Sequence, residues 1–126
     1  MGRIRDVMKT HLHTVGPTDT VGEAVAVMAQ HRVGSVLVME AERLLGIFTE
    51  RDTVRALSLS HDAPRHEIVS WMTHDPKTVA PDADADEALR TMLDHGFRHL
   101  PVVENGKVVG MVSMRDLAGT QNRSQS

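Results

Sequence analysis

Residues 100–116 read LPVVENGKVVGMVSMRD, and this stretch decides the fold. Two aliphatic runs flank the dipeptide Asn105-Gly106, which favours the tight turn of a β-hairpin. Directly after the second run, Ser113 and Asp116 stand three residues apart, a spacing typical of a helix N-terminus. The stretch therefore predicts a strand, a turn, a second strand and a helix, in that order.

The same order of elements occurs earlier in the chain at a constant offset, because Met8 matches Met72 and 72 − 8 = 64. The aligned stretches 7–54 and 71–118 share 13 identities without a gap. The identical pairs are Met8/Met72, Thr14/Thr78, Val15/Val79, Pro17/Pro81, Glu23/Glu87, Ala24/Ala88, Met28/Met92, His31/His95, Val38/Val102, Glu40/Glu104, Gly46/Gly110, Arg51/Arg115 and Asp52/Asp116. An internal repeat of this kind indicates one structural unit used twice.

Each copy predicts the element order β-α-β-β-α. A short extended segment ends at a proline, and a capped helix follows, with Thr20 and Asp84 as the expected N-caps. The hairpin strands are expected at 36–39, 44–49, 100–103 and 108–113. The second helices are expected at 50–60 and 114–118, the latter ended by Gly119.

A unit this small cannot bury its apolar strand face alone. We therefore expect an α/β (α+β) fold of tandem pseudo-twofold repeats, with two small sheets packed together and helices outside. The expected division is 1–60 for the first repeat, 61–67 for a linker, 68–119 for the second repeat and 120–126 for a flexible tail. Together they are expected to form one intramolecular module.

Composition excludes several classes of protein. The net charge of −3 over 126 residues argues against nucleic-acid binding, as does an aromatic content of 2%. Without cysteine there is no disulfide framework. The N-terminus does not lead into an apolar signal core, and the longest aliphatic runs are too short to span a bilayer. We expect a cytoplasmic location, with no membrane association.

Catalysis and metal binding find little support in the sequence. No nucleophile elbow, P-loop or Gly-rich dinucleotide fingerprint is present, so no catalytic residues and no enzyme activity are expected. The chain has 8 histidines, including His11 and His13 in one extended segment and His61, His66 and His74 near the linker. No spacing completes a tetrahedral ligand set, so we predict no metal site. Histidine-dependent pH sensitivity is the milder alternative.

The ordered pattern resembles a known family, the CBS domain. It runs Met-x-x-x-x-x-Thr-Val-x-Pro, a capped helix, Leu-Pro-Val-Val-Glu-Asn-Gly-Lys-Val-Val-Gly and then Ser-x-x-Asp. Two such domains in tandem resemble a Bateman module, and the match covers residues 4–118. The first copy departs from the pattern at residues 35–38, which read SVLV where the second copy has HLPV, and its hairpin turn lacks Asn-Gly.

The resemblance implies a regulatory function. CBS pairs bind adenosine-containing ligands in clefts between the two copies, with AMP, ADP or ATP expected first and S-adenosylmethionine or NAD also in the class. The nucleotide is a regulatory ligand, and no cofactor is required. No enzyme or channel domain is attached in this sequence, so the resemblance implies action on a separate protein target or through self-association, with a homodimer expected. The alternatives are a ligand-free structural or protein-docking module and a metal-binding stress protein.

The resemblance assigns ribose binding to Asp52 and Asp116, supported by Thr49 and Ser113. One carboxylate can accept hydrogen bonds from two adjacent hydroxyl groups, as a ribose requires. Thr/Ser-x-x-Asp is also a capping box, and an acid in the first turn favours the helix dipole. Both roles can hold for the same side chain.

The phosphate contacts are expected from Arg98 and His99, whose first-copy counterparts Gly34 and Ser35 are neutral. A solvated surface arginine is the alternative role for Arg98. Since the family mixes both copies in each cleft, two unlike pockets are expected, the first preferring phosphorylated ligands and the second weaker. The first pocket comprises Thr49, Arg51, Asp52, Thr78, Val79, Arg98 and His99, and the second comprises Thr14, Val15, Gly34, Ser35, Ser113, Arg115 and Asp116.

Overall fold

The computed structural model describes residues 2–125, with the side chains of residues 2–119. The helices are α1 (Ile4–Val7), α2 (Val21–His31), α3 (Glu50–Leu59), α4 (Ala85–His95) and α5 (Met114–Gln125). The strands are β1 (Thr14–Val15), β2 (Ser35–Glu40), β3 (Arg43–Thr49), β4 (Thr73–His74), β5 (His99–Glu104) and β6 (Lys107–Ser113). Short 3-10 helices occupy Ala63–Arg65 and Ile68–Ser70. The predicted mixed α/β class with two small sheets is confirmed.

The chain divides into two compact units. Unit A joins the described residues up to His11 with those from Lys77 onward, and unit B comprises Leu12–Pro76. The boundaries of these two units therefore differ from the boundaries of the sequence repeats. Residues 2–11 lie at the start of the first copy along the chain but pack with the second.

Unit B is built on a sheet of order β1-β2-β3-β4. The strands β2 and β3 form the predicted antiparallel hairpin, β1 adds parallel to β2, and β4 adds antiparallel to β3. Helix α2 places one apolar face on this sheet, as its i, i+3, i+4 spacing predicts. The buried core is Val15, Val21, Ala24, Met28, Val36, Val38, Phe48, Ile68 and Met72.

Unit A repeats this arrangement with shorter outer strands. The hairpin of β5 and β6 is flanked by single bridges, Val79 to Val102 in parallel and Lys9 to Met111 in antiparallel orientation. These bridges match the β1–β2 and β3–β4 pairings at the offset of 64 residues. The buried core is Ile4, Ala85, Ala88, Leu89, Met92, Leu100, Val102, Val112 and Leu117.

Two of the identical pairs, Gly46/Gly110 and Met8/Met72, contact each other. Gly46 lies against Met72 in unit B, and Gly110 lies against Met8 in unit A. A Cβ added at Gly46 would lie 2.7 Å from both the Met72 Sδ and the Thr73 carbonyl oxygen, and one at Gly110 would lie 2.7 Å from the Met8 Sδ. Glycine is needed at each position because a neighbouring segment crosses the strand at this distance. The repeated glycine therefore serves packing within the unit.

Both predicted helix starts are confirmed, and the helix ends differ. Thr20 accepts a hydrogen bond from the Glu23 amide at 3.1 Å, and Asp84 accepts one from the Glu87 amide at 3.3 Å. Helix α4 ends at Gly96, which has the left-handed φ of 76°. Helix α2 ends at the matched Arg32 with φ 56°, a conformation that favours glycine.

The expected end of the last helix at Gly119 is wrong, because α5 continues to Gln125. A single glycine costs a helix only about 1 kcal/mol relative to alanine, and no proline follows to end it. The expected flexibility of residues 120–126 lies outside the described side chains.

The segment expected as a linker, residues 61–67, is packed within unit B. It contains the 3-10 helix Ala63–Arg65, and Ala63 is fully buried. A Cβ added at Gly22 of α2 would lie 3.1 Å from the Pro64 carbonyl oxygen, so this helix and α2 are in close contact. Within the described part of the chain, no helix combines the length and the apolar character needed to cross a membrane.

Candidate functional site

Thr49 and Asp52 form a reciprocal cap where β3 passes into α3. The Asp52 Oδ2 accepts hydrogen bonds from the Thr49 amide at 3.0 Å and from the Thr49 hydroxyl at 3.1 Å. The Asp52 amide donates to the Thr49 hydroxyl oxygen at 3.2 Å. Asp52 is only 7% exposed, so its carboxylate is held in one orientation.

Ser113 and Asp116 repeat this geometry where β6 passes into α5. The Asp116 Oδ2 accepts from the Ser113 amide at 3.0 Å, and the Asp116 amide donates to the Ser113 hydroxyl oxygen at 3.2 Å. The capping role that the Thr/Ser-x-x-Asp spacing predicts is therefore present in both copies. In each it engages the Oδ2 oxygen of the carboxylate.

The second carboxylate oxygen faces a cation in each unit. The Asp52 Oδ1 lies 3.6 Å from the Arg55 Nη2, and the Asp116 Oδ1 lies 3.9 Å from the Lys9 Nζ. The Arg55 side chain is half-exposed and that of Lys9 is 73% exposed. Exposed ion pairs at such distances contribute little to stability, so neither cation is fixed by this contact alone.

A cavity of about 370 Å³ opens beside Asp116 within unit A. Its lining residues come from the N-terminal segment and from the first turns of α5: Asp6, Val7, Met8, Lys9, Arg115, Asp116 and Gly119. This volume falls in the range of small-molecule sites. The lining combines the capped carboxylate of Asp116, a second carboxylate from Asp6, two cationic side chains and two apolar side chains, so it offers both hydrogen-bond donors and acceptors to a small polar ligand.

The matched position in unit B is covered by a side chain. Arg55 donates from Nη2 to the Trp71 carbonyl oxygen at 2.9 Å, and its guanidinium carbon lies 5.7 Å from the centre of the Trp71 ring. The indole is nearly parallel to the His66 ring, with ring centres 6.1 Å apart, and the Trp71 Nε1 donates to the His66 Nδ1 at 3.1 Å. Arg55 therefore links α3 to the segment that precedes β4.

The offset of 64 residues explains this difference between the copies. Gly119 stands where unit B has Arg55, and Val7 stands where it has Trp71. The sequence reasoning missed these residues and Lys9, because it compared the positions that match the family pattern and not those that differ. The signal was present as an arginine in the first copy matched by a glycine in the second, and as a tryptophan in the second copy matched by a valine in the first.

The predicted residues of the first copy meet at one end of its sheet. Ser35 pairs with Thr49 across β2 and β3, and the Gly34 carbonyl accepts from the Glu50 amide at 3.1 Å. Thr14 is exposed on β1, whereas Val15 is buried in the core and Arg51 is exposed on α3.

The second copy places its predicted residues in the same way. His99 pairs with Ser113 across β5 and β6, and the Arg98 carbonyl accepts from the Met114 amide at 2.8 Å. Thr78, Arg98 and Arg115 are exposed. The Val79 amide donates to the Pro101 carbonyl at 3.0 Å, which holds the extended segment beside β5. The grouping of these residues with Asp52, which belongs to unit B, stays a prediction.

The histidines do not form a metal centre in the region that the structure covers. Among residues 2–125, no three His, Asp or Glu side chains are gathered in an arrangement that holds a metal ion. His13 and His31 lie with ring centres 4.4 Å apart.

Comparison with known proteins identifies close relatives of this chain. A family model for the CBS domain matches residues 4–59 and 66–121. The CBS domain-containing protein YhcV of Bacillus subtilis is 31% identical over 126 residues, which span 100% of this chain and 90% of YhcV. The crystal structure of a CBS-domain-containing protein from Agrobacterium tumefaciens matches with a TM-score of 0.91 at 30% identity, over 95% of this chain and 99% of that one.

Two more distant crystal structures share the fold and contain ligands. The CBS domain pair of protein MJ0100, in complex with 5′-methylthioadenosine and S-adenosyl-L-methionine, matches with a TM-score of 0.88 at 22% identity, over 98% of both chains. CBSX2 in complex with AMP matches with a TM-score of 0.85 at 22% identity, over 100% of both chains.

Proposed function

This chain belongs to the CBS-domain family, with two CBS domains in tandem, and we propose that it is a regulatory module that binds an adenosine-containing ligand. AMP, ADP and ATP are the first candidates, and S-adenosylmethionine and NAD share the same adenosine half. The observation that carries the proposal is the capped carboxylate of Asp116, which lines a cavity together with Lys9 and Arg115. The proposal assigns no catalytic step and no required cofactor.

The ribose contact follows from the chemistry of the aspartates. A ribose offers two adjacent hydroxyl donors, and a carboxylate has lone pairs for both. The cap holds the Asp116 Oδ2 at 3.0 Å from the Ser113 amide, so the carboxylate is oriented before the ligand arrives. Such pre-organisation reduces the entropy lost on binding. Asp52 has the same cap and receives the same proposed role.

The remaining contacts suit the rest of a nucleotide. Lys9 and Arg115 supply cations for phosphate, since charge-assisted hydrogen bonds to phosphate are among the stronger ones. Val7 and Met8 supply apolar surface for adenine, and methionine adapts to planar rings. Adenosine is also the common part of the ligands bound by MJ0100 and CBSX2, which supports an adenosine ligand over other small molecules.

The phosphate contacts expected of Arg98 and His99 are kept in the proposal, without the expected ranking of the two pockets. Arg98 is exposed directly before β5, whereas Gly34 before β2 carries no charge. We propose that Arg98 and His99 contact the phosphate of a bound nucleotide. Regulation then works by population shift, since a ligand that binds one conformation more tightly increases the population of that conformation.

A thermal-shift and calorimetry screen tests the proposal. AMP, ADP, ATP, NAD, NADH and S-adenosylmethionine are added to the whole chain, and at least one is expected to raise Tm. A ligand present at 100 times its Kd raises the free energy of unfolding by about 2.7 kcal/mol. Asp116→Asn and Asp52→Asn keep an acceptor oxygen for the cap and remove the charge, so they should weaken binding with little change in the fold.

Deoxynucleotides give the matched control for the ribose contact. Because 2′-deoxy-AMP lacks one of the two hydroxyl groups, it should bind more weakly than AMP to the wild type and lose less on Asp→Asn substitution. No shift with any of the six ligands at millimolar concentration would rule out the ligand-binding function and favour the ligand-free docking module.

Protein contact is the second part of the proposed function. Helix α3 exposes Val54 at 69%, Leu57 at 47% and Leu59 at 70%. Val54 and Leu57 are three residues apart and so share a helix face. We propose that this apolar face joins two copies in the homodimer that the family resemblance implies, since a twofold interface buries the same patch on both copies. Sedimentation velocity should show a dimer that Leu57→Glu converts to a monomer, whereas a monomeric wild type would contradict it.

A further inference from the structure

Arg55 makes three contacts that converge beside the Asp52 carboxylate. Its Nη2 lies 3.6 Å from the Asp52 Oδ1 and donates to the Trp71 carbonyl oxygen at 2.9 Å, and its guanidinium lies over the Trp71 ring. We call this set of contacts the Arg55 bridge. It places a guanidinium beside the carboxylate oxygen that the helix cap does not use.

The matched position in unit A has no side chain. A Cβ added at Gly119 would meet no atom within 4 Å, and Gly119 lines the cavity beside Asp116. Val7 stands in place of Trp71, so the stacking surface for a guanidinium is also missing. Lys9 approaches the Asp116 Oδ1 only to 3.9 Å with a side chain that is 73% exposed.

We infer that Arg55 competes with ligand for Asp52 and that Gly119 leaves the Asp116 cavity accessible, so that the two sites fill in order, Asp116 first. This inference rests on the proposed adenosine binding at both aspartates. A ribose at Asp52 has to displace the guanidinium from Oδ1 and break its hydrogen bond to Trp71. Arg55 is half-exposed, so it can move into solvent without rearrangement of the core.

The size of the effect follows from the contacts that are lost. The exposed ion pair alone would lower ligand affinity at Asp52 only slightly. Together with the hydrogen bond to Trp71 and the stacking on its ring, it lowers that affinity about tenfold. The Arg55 bridge therefore makes ligand bind more weakly at Asp52 than at Asp116, so that the Asp52 site fills at a higher ligand concentration. It does not abolish binding at Asp52.

The chain contains its own probe for the bridge. Trp71 is the only tryptophan, and there is no tyrosine, so intrinsic emission reports on the ring under Arg55. Displacement of the guanidinium changes the surroundings of the indole. A ligand that enters the Asp116 cavity meets Val7 in place of a tryptophan.

The experiment titrates AMP into the whole chain and follows heat and Trp71 emission in parallel. For the wild type we expect a first binding phase without an emission change and a second, weaker phase with one. Arg55→Ala should strengthen the second phase about tenfold, because the competing contacts are removed. Gly119→Arg should weaken the first phase by a smaller factor, because the new guanidinium can approach the Asp116 Oδ1 but meets Val7 where Arg55 meets the Trp71 ring.

Ala118→Arg is the matched control, since it adds the same guanidinium at an exposed position of α5 outside the cavity lining. It should leave both phases unchanged, and circular dichroism of all variants checks that α3 and α5 are intact. The inference is overturned if emission changes already in the first phase, or if Arg55→Ala leaves the second phase unchanged or weakens it. The last result would make Arg55 a phosphate ligand. Absence of binding heat in every variant overturns the proposed function itself, a result distinct from binding that the substitutions do not redistribute.

Discussion

Asp52 and Asp116 each serve the helix and the proposed ligand with different oxygens of one carboxylate. In both, the Oδ2 oxygen closes the cap with the residue at the end of the preceding strand. The Oδ1 oxygen faces Arg55 in one unit and Lys9 in the other. The cap stabilises the first helical turn and also fixes the acceptor, so asparagine is a more informative replacement than alanine at either position.

Gly46 and Gly110 are the residues at which packing tolerates least change. Gly46→Ala should lower the free energy of unfolding by about 1–3 kcal/mol, because its Cβ would lie 2.7 Å from the Thr73 carbonyl oxygen, and backbone cannot move aside cheaply. Gly16→Ala should be close to neutral, because its Cβ would meet only the Asp19 Oδ2 at 3.6 Å. Urea denaturation followed by circular dichroism measures both, and equal effects would contradict the packing explanation.

Matched helices in the two copies end with different residues in the same backbone conformation. Gly96 ends α4 with φ 76°, and Arg32 ends α2 with φ 56°. In each case the capping amide donates to the carbonyl of a repeated methionine, Met28 or Met92. The turn geometry is therefore conserved between the copies although its preferred residue is present in only one.

Exchange of these two cap residues should have opposite effects. Arg32→Gly should raise the free energy of unfolding by about 0.5–1 kcal/mol, since glycine adopts positive φ without the steric cost of a side chain. Gly96→Arg should lower it by a similar amount. Thermal denaturation of the two variants compares them directly, and a loss of stability for Arg32→Gly would show that the arginine side chain makes a contact worth more than the strain.

The N-terminal segment belongs to the unit that is far away in sequence. The Ile4 amide donates to the Ala83 carbonyl at 3.0 Å, and its side chain is fully buried in the core of unit A. Arg5 pairs with Asp82, whose hydrogen bond and charge raise the pKa of the Arg5 guanidinium above its usual value. Ile68 holds the matched place in unit B and is also fully buried. Each unit thus takes an isoleucine from the start of the other copy.

Truncation of either isoleucine should therefore be costly. Ile4→Ala and Ile68→Ala should each lower the free energy of unfolding by about 2–5 kcal/mol, as expected for a fully buried side chain. Leu93→Ala, at a position that is 64% exposed, is the control and should change stability by less than about 0.5 kcal/mol. Chemical denaturation is the measurement, and a neutral Ile4→Ala would mean that the N-terminal segment does not stabilise unit A.

The repeat made much of the architecture predictable from sequence. Hairpins, capped helices and the Thr/Ser-x-x-Asp turns depend on local spacing and turn chemistry, and these signals appeared twice in one register. The end of α5 was not predictable from Gly119, because a single glycine is too weak a signal to end a helix. The packing role of Gly46 and Gly110 was not predictable from local spacing, since the segment that crosses each glycine is distant along the chain.

What the sequence alone determined is therefore the local structure, the duplication and the pair of aspartates. What only the tertiary structure decided is which segments pack together: that the N-terminal residues complete unit A, that Met8 and Met72 lie over Gly110 and Gly46, and that Arg55 reaches Trp71. These contacts join residues that are distant in sequence, or depend on where a side chain points, and no local spacing encodes either. The difference between the two aspartate environments follows from the same contacts. Arg55 and Trp71 meet beside Asp52, whereas Gly119 and Val7 hold the matched places near Asp116.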